Sequence, residues 1–325
     1  MIRYVVKRFL MLIPLVLCIT FVVYGLMSLA PGDPASIMLP SNAPQEQKDA
    51  LNHKLGYDRP FLVKYADFVY NLVFKGDFGI SYRTQQPIIN EFKTRLPISI
   101  TLAFTSLTLA ACIGIPLGVL SAVKQYSLLD TIPSVMALTL SAVPSFWFGM
   151  MLIYFLAYKL GLFPSYGMGG IEHWVLPTLT IAVVYAAEIL RYTRSSMLEV
   201  IRQDYIRTAK AKGLGSGVII FRHALRNGMI PVTSSIGLMT GLAMTGTIII
   251  ETIFNIPGLG TLMNNSISKY DYTLTQGIVL ICALLICGTN LITDLVYALI
   301  DPRIRAQYTA RKPIFKRRKS GVEGG

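Results

Sequence analysis

The chain has 325 residues, of which 53% are hydrophobic and only 14% charged, with a mean hydropathy of +0.54 and a net charge of +13. That composition excludes an ordinary soluble domain and points to a polytopic membrane protein. The excess of positive charge, with a sequence pI near 9.6, falls on one side of the membrane, so lipid is the expected partner of the basic stretches and nucleic acid is not.

A helix needs about 20 apolar residues to cross the roughly 30 Å of hydrocarbon in a bilayer. Runs of that kind predict spans at Phe9–Ala30, Ile98–Val123, Thr131–Tyr158, Trp174–Leu190, Met229–Ile250 and Leu274–Ile300, the fourth being the shortest. The first follows Arg3, Lys7 and Arg8 as a signal peptide would. Its apolar stretch is longer than the roughly 7–15 residues of a signal core, and Pro31 follows the small-residue site, so a retained anchor is expected.

With the first residues inside, the inner segments carry Arg3, Lys7, Arg8, Lys124, the basic residues between Arg191 and Arg226, and those between Arg303 and Lys319. These account for 20 of the 30 Lys and Arg residues, whereas the outer segments balance ten basic with ten acidic residues. Positive charge collects on the cytoplasmic side, so both termini are expected there.

The first outer segment, residues 31–97, is the one sizeable extramembrane unit expected. SNAPQEQKDALNHKLG reads as a short helix with Pro44 near its start and Gly56 at its end. Phe61, Leu62, Tyr65, Phe68, Val69, Leu72 and Val73 then recur at helical spacing, which predicts an amphipathic helix against the membrane face or the unit's own core. With fewer than about 70 residues the unit is small for an independent enzyme and reads as a vestibule or docking element. Inside the spans, Pro14, Pro116, Pro133, Pro144, Pro177 and Pro231, with Gly114, Gly118, Gly237, Gly241 and Gly246, predict bends and close helix contacts.

The long inner loop contains DYIRTAKAKGLGSGVIIFRHALRN (Asp204–Asn227). Residues Arg191–Lys212 have helix-forming composition, Gly213, Gly215 and Gly217 form a turn, and Val218–Asn227 reads as a second short helix. The glycines do not match GxGxxG, and no GxxxxGK[ST] occurs, so a nucleotide site is not expected. Two basic helices around a glycine turn suit a lever on which a soluble protein pushes; a solvated positive-inside connector is the plainer alternative.

Within the spans, Glu188 lies one turn before Arg191 and predicts an i,i+3 ion pair. Asn290 and Asp294, near the inner end of the last span, predict an interhelical hydrogen bond. In ETIFNIPGLG, Glu251, Phe254, Pro257 and Gly258 fit either an outer gate or docking surface, or a capping turn. Cys18, Cys112, Cys282 and Cys287 sit in apolar runs without CxxC, and His53, His173 and His223 are scattered, so no metal site or catalytic cluster is expected. An ion-driven secondary transporter would place acids near the bilayer midplane, which this pattern lacks.

At this point the residues resemble a family. YIRTAKAKGL followed by HALRN is similar to the coupling loop of ABC-importer permeases. KRFLMLIPL with APGDP, KGDFGISY, RLPISITL, RYTRSSMLEV, ETIFNIPGLG and DPRIR extend the likeness over essentially the whole chain. The set resembles the first (B-type) permease of dipeptide, oligopeptide and nickel importers.

The resemblance implies an all-α, six-span permease of the ABC type I importer fold in a bacterial cell membrane. It divides the chain into residues 1–30, a first helix; 31–97, an extracytoplasmic domain; 98–300, a permease core with the coupling loop at 191–228; and 301–325, a basic tail. It implies that Tyr205, Arg207, Ala209, Lys210, Gly213, Leu214, His223, Leu225, Arg226 and Asn227 meet an ATPase subunit. Arg207, Thr208 and Arg226 depart from the general loop pattern, as is usual in the peptide branch. The implied assembly adds a second homologous permease, two cytosolic ATPases and an extracytoplasmic substrate-binding protein. ATP and Mg would be bound by the ATPases and no cofactor by this chain, which performs no chemistry. Short peptides are the implied cargo, with nickel or a metal chelate as the alternative.

Overall fold

The computed structural model of the chain describes residues 2–30 and 32–300. The basic tail, with its DPRIR motif, lies outside the described residues. In chain order the helices are α1 (Ile2–Ser28), α2 (Pro34–Met38), α3 (Gln45–Lys54), α4 (Phe61–Tyr70), α5 (Ile88–Val123), α6 (Leu128–Ala142), α7 (Ser145–Leu152), α8 (Glu172–Ile201), α9 (Asp204–Ala211), α10 (Ser216–Val218), α11 (Leu225–Ile253), α12 (Leu259–Ser268) and α13 (Tyr272–Ile300). Wider π-type turns, Asn71–Lys75, Ile153–Lys159 and Ile219–Ala224, extend α4, α7 and α10.

Four stretches among the described residues are long and apolar enough to cross a membrane as single helices: Arg8–Ser28, Ile88–Val123, Glu172–Ile201 and Tyr272–Val296. The count reaches the expected six when α6 with the extended α7, and the two parts of a bent α11, each serve as one span.

Three boundaries differ from those expected. The third span is not one helix: α6 and α7 meet at 103°. Pro144 lacks an amide hydrogen and forces Val143 out of the helical region, to φ −82° and ψ 126°, so the ladder stops there. Pro133, within α6, leaves its helix unbroken. The fourth span, expected to end at Leu190, continues as α8 to Ile201, because Thr193, Ser196 and Met197 prolong its buried face. The second begins at Ile88, ten residues earlier than expected, so the last part of the expected outer unit is the first turns of α5.

The bundle is built around α5 and α8. Gly114 and Gly118 bring α5 against the α8 backbone: a Cβ at Gly114 would lie 2.7 Å from the Ala186 carbonyl oxygen, and one at Gly118 the same distance from that of Leu190. Small residues let membrane helices approach this closely, and dispersion between the backbones replaces the hydrophobic drive that lipid does not supply. α11 packs across this pair and against α13, where Gly237 faces Thr293.

α1 lies at the edge, with Phe9, Leu10, Ile13, Leu17, Val22 and Leu26 exposed. It is held to α13 by an ion pair between Arg8 and Asp294. At its other end the aromatic stripe of α4 packs onto it: Phe21 and Tyr24 meet Phe61 and Tyr65 edge-on or tilted, with centroids 5.2–5.7 Å apart, and the Thr20 and Tyr65 hydroxyls lie 3.0 Å apart. The amphipathic helix therefore uses the first span as its apolar partner. α3 matches its expected limits, with Pro44 at its start and Gly56 in the left-handed region just past its end.

Candidate functional site

The glycine-rich loop sits at the end of the bundle where α5 stops, α6 starts, α8 stops and α11 starts. The single helix expected over Arg191–Lys212 is divided. α8 ends at Ile201, Gln203 is extended (φ −70°, ψ 150°), and Asp204, a residue favoured in a first helical turn, opens α9. After α9, Gly213 turns the chain at φ +76°, a conformation costly for any residue with a Cβ. The return strand of the loop is the short α10 and its π turn, which run directly into α11 at Leu225, so the separate second helix expected to end at Asn227 is continuous with the fifth span.

The loop is anchored, not floating. Ile206 and Ala209 of α9 are buried with Ile219 and Ala224 of the return arm, Ala122 of α5 and Met197 of α8. The Ser196 hydroxyl donates to the Gly228 carbonyl (2.7 Å), and the Asn227 side-chain amide donates to the Tyr205 hydroxyl (2.9 Å). These contacts place Ala209 inside the loop's own packing. At 7% exposure it fills this chain's own seam, where only a small side chain lets α9 approach the return arm. His223 and Leu225 are half-buried. Tyr205, Arg207, Lys210, Leu214, Arg226 and Asn227 are exposed. Val218 and Phe221, the latter 68% exposed, extend that surface with apolar area that the sequence reading had not singled out. The signal was present: two large apolar residues in a stretch too polar to be a span.

Beneath the loop lies a polar junction also missed from sequence. Asp130, 3% exposed, receives a two-pronged contact from Arg194 of α8, Nε to Oδ1 at 2.6 Å and NH2 to Oδ2 at 2.9 Å. The Ser121 hydroxyl of α5 donates to Oδ1 (2.5 Å) and the Tyr126 amide to Oδ2 (2.9 Å). One carboxylate thus joins α5, the 124–127 turn, α6 and α8, with paired donors of the geometry that makes Arg–carboxylate contacts strong. An isolated acid on a side rich in cations was the available signal.

Glu188 and Arg191 do not form the expected ion pair among the described residues. Arg191 is exposed, where such a pair gains little over water, and the ion pair of α8 is made one turn later by Arg194. Asp294 does make an interhelical contact, to Arg8, and Asn290 faces Gly241 of α11.

At the opposite end, ETIFNIPGLG folds as a capping turn. Glu251 is fully buried, and its Oε2 accepts the Gly260 amide (2.6 Å) at the start of α12. Ser99 of α5 accepts the Leu259 amide (2.8 Å), and the Phe254 carbonyl accepts the Gly167 amide (2.8 Å). Of the two alternatives for this stretch the geometry is that of the capping turn: Glu251, Phe254 and Gly258 are buried within this chain, and Pro257 alone of the four is exposed.

The chain matches two families. Residues 114–306 match the binding-protein-dependent transport system inner membrane component, and residues 1–103 match the N-terminal part of the membrane component of such systems. The oligopeptide transport system permease protein AppB of Bacillus subtilis is 40% identical over 94% of this chain and 99% of its own length. The dipeptide permease DppB of Alkalihalophilus pseudofirmus is 36% identical, and the glutathione permease GsiC of Escherichia coli K12 35%, each over 94% of this chain. Among solved structures, a chain of the MetNI methionine ABC transporter in inward facing conformations superposes with a TM-score of 0.58 at 16% identity, covering 66% of this chain and 99% of that one. The helical bundle is thus the ABC importer fold, and the chain belongs to the family of inner membrane components of binding-protein-dependent transport systems.

Proposed function

We propose that this permease imports short peptides. The observation that carries the reading is the near full-length similarity to relatives named for oligopeptides, dipeptides and glutathione, all of them peptides. Nickel or a metal chelate has no comparable support among these relatives.

In this reading the chain pairs with a second permease of similar fold and receives cargo from an extracytoplasmic binding protein. Two cytosolic ATPases bind ATP and Mg and push on the α9–α10 loop, which faces the cytoplasm with both termini. The physical support is the loop's construction: a surface of Tyr205, Arg207, Lys210, Leu214 and Phe221 rests on a buried anchor that reaches α5, α8 and α11. A force applied there is delivered to the bundle and not absorbed by a slack connector. Residues 31–97, which hold α2–α4 and the first turns of α5, form the extracytoplasmic face, with α4 packed on α1.

The test is reconstitution in proteoliposomes with the co-expressed partner subunits. Uptake of labelled di- to pentapeptides that requires ATP and the binding protein is the expected result. Uptake driven by an ion gradient without ATPases, or ATP-dependent uptake of nickel alone, would overturn the proposal.

A further inference from the structure

A cavity of about 340 Å³ opens where the last turns of α1, the helix α4 and the first turns of α13 converge. It has no part in the loop or the capping turn described above. Its position is defined by two spans: Tyr24 lies one turn inside the end of α1, and Gln276 one turn inside the start of α13. The cavity is therefore at the depth where a bilayer changes from hydrocarbon to headgroups, the level at which tyrosines collect in membrane proteins.

Three features define what it would hold. Gln276 is 8% exposed, lines the cavity, and has no side-chain hydrogen bond to any described residue. Its amide opens onto the cavity with two donors and an acceptor to offer, so the cavity favours a polar guest. The rim supplies charge. Arg59 pairs with Asp67 through one nitrogen (3.2 Å), and Lys64 donates to the Tyr57 carbonyl (2.8 Å). Both cations keep donors to spare, and two cations with one carboxylate leave the rim one positive charge in excess, the complement of a monoanion. Finally, Val22 and Leu26 on the same turns of α1 are exposed and apolar, an edge along which acyl chains would lie.

We propose that this cavity holds the phosphodiester headgroup of a membrane phospholipid, with Arg59 and Lys64 on the phosphate and Gln276 on the glycerol ester or headgroup oxygens. The lipid would fill the wedge between α1, α4 and α13 and fasten the edge helix to the bundle. The inference rests on membrane residence and not on the identity of the cargo.

The experiment is native mass spectrometry of the full permease complex released from nanodiscs of phosphatidylglycerol, phosphatidylethanolamine or phosphatidylcholine. The wild type is expected to keep a phospholipid through delipidating washes. Gln276→Leu, of similar volume, should lower the retained fraction about fivefold, the effect of one lost neutral hydrogen bond, and the rim double variant Arg59→Gln with Lys64→Gln by about tenfold or more, the effect of lost charge-assisted contacts. The rim variant alters an exposed arginine and a half-buried lysine of the outer segment, away from the packed bundle, so it remains informative if Gln276→Leu assembles poorly. Inorganic phosphate at millimolar concentration should not displace the lipid. Equal retention in wild type and rim variant would overturn the proposal, as would displacement by free phosphate, which marks a small-anion site, or by a dipeptide with no lipid retained, which marks a cargo site.

Discussion

Gly213 and Asp130 show how much single residues control at the loop end of the bundle. Gly213 holds φ +76° with open space around it, so a side chain there meets no neighbour and its whole effect is backbone strain, about 1–2 kcal/mol for a residue with a Cβ. Gly213→Val should leave the complex assembled but lower peptide transported per ATP hydrolysed, measured in proteoliposomes; a wild-type ratio would refute the turn's role. Asp130 is the opposite case, a carboxylate whose value lies in its contacts. Removing one partner of a buried ion pair costs about 3–5 kcal/mol, and the low end applies because Arg194 is partly exposed. Asp130→Ala should markedly lower the thermal unfolding midpoint in detergent, with Asp130→Asn intermediate because it keeps an acceptor. Gly213 was legible in the sequence because glycine is the one residue for that conformation. The Asp130–Arg194 contact was not, because the two residues are 64 positions apart and nothing local pairs them.

At the scale of elements, the α5–α8 contact is the one most easily broken. A Cβ at Gly118 would stand 2.6 Å from the Thr193 Cβ and 2.7 Å from the Leu190 carbonyl, a backbone atom that cannot step aside. Overpacking costs about 1–3 kcal/mol where neighbours can shift and more where they cannot. Gly118→Val should abolish the monodisperse peak in size-exclusion chromatography, whereas Gly288→Ala, with nothing within 4 Å, should leave it unchanged. Hydropathy located the four single-helix spans and the two bent apolar stretches because apolar length is a one-dimensional property. It misplaced the end of α8 because the continuation depends on a buried face of Thr193, Ser196 and Met197, and the start of α5 because its first turns bury only Ile88 and Phe92 among charged residues. It missed the α6–α7 corner because Pro133 and Pro144 look alike in sequence. The difference lies in what each does to the residue before it, and that is set by the packing of the two helices. Ala209 marks in sequence a place where only a small side chain fits, and in the structure that place is the seam between α9 and the return arm.

For the whole molecule, the arrangement separates two ends. The loop, the Asp130 junction and the Arg8–Asp294 tie belong to one, and the capping turn, α12 and the α2–α4 segment to the other. Cysteines placed at Lys212 and at Pro257, both exposed, should react with a membrane-impermeant maleimide from opposite faces, Lys212 only in inverted vesicles. Labelling of both from one face would contradict the orientation.

The corner between α6 and α7 has a consequence for the chain in its membrane. A chain that turns through 103° midway along an apolar segment leaves backbone carbonyls and amides that no helix satisfies, and hydrocarbon offers them nothing. Ala142 and Pro144 are exposed at this elbow, so the chain does not shield it from within. Something polar or proteinaceous must stand against it: water in a passage, or the flank of a neighbouring subunit. A lone copy dissolved in lipid would therefore be an unfinished object, and the elbow marks the side on which it is completed.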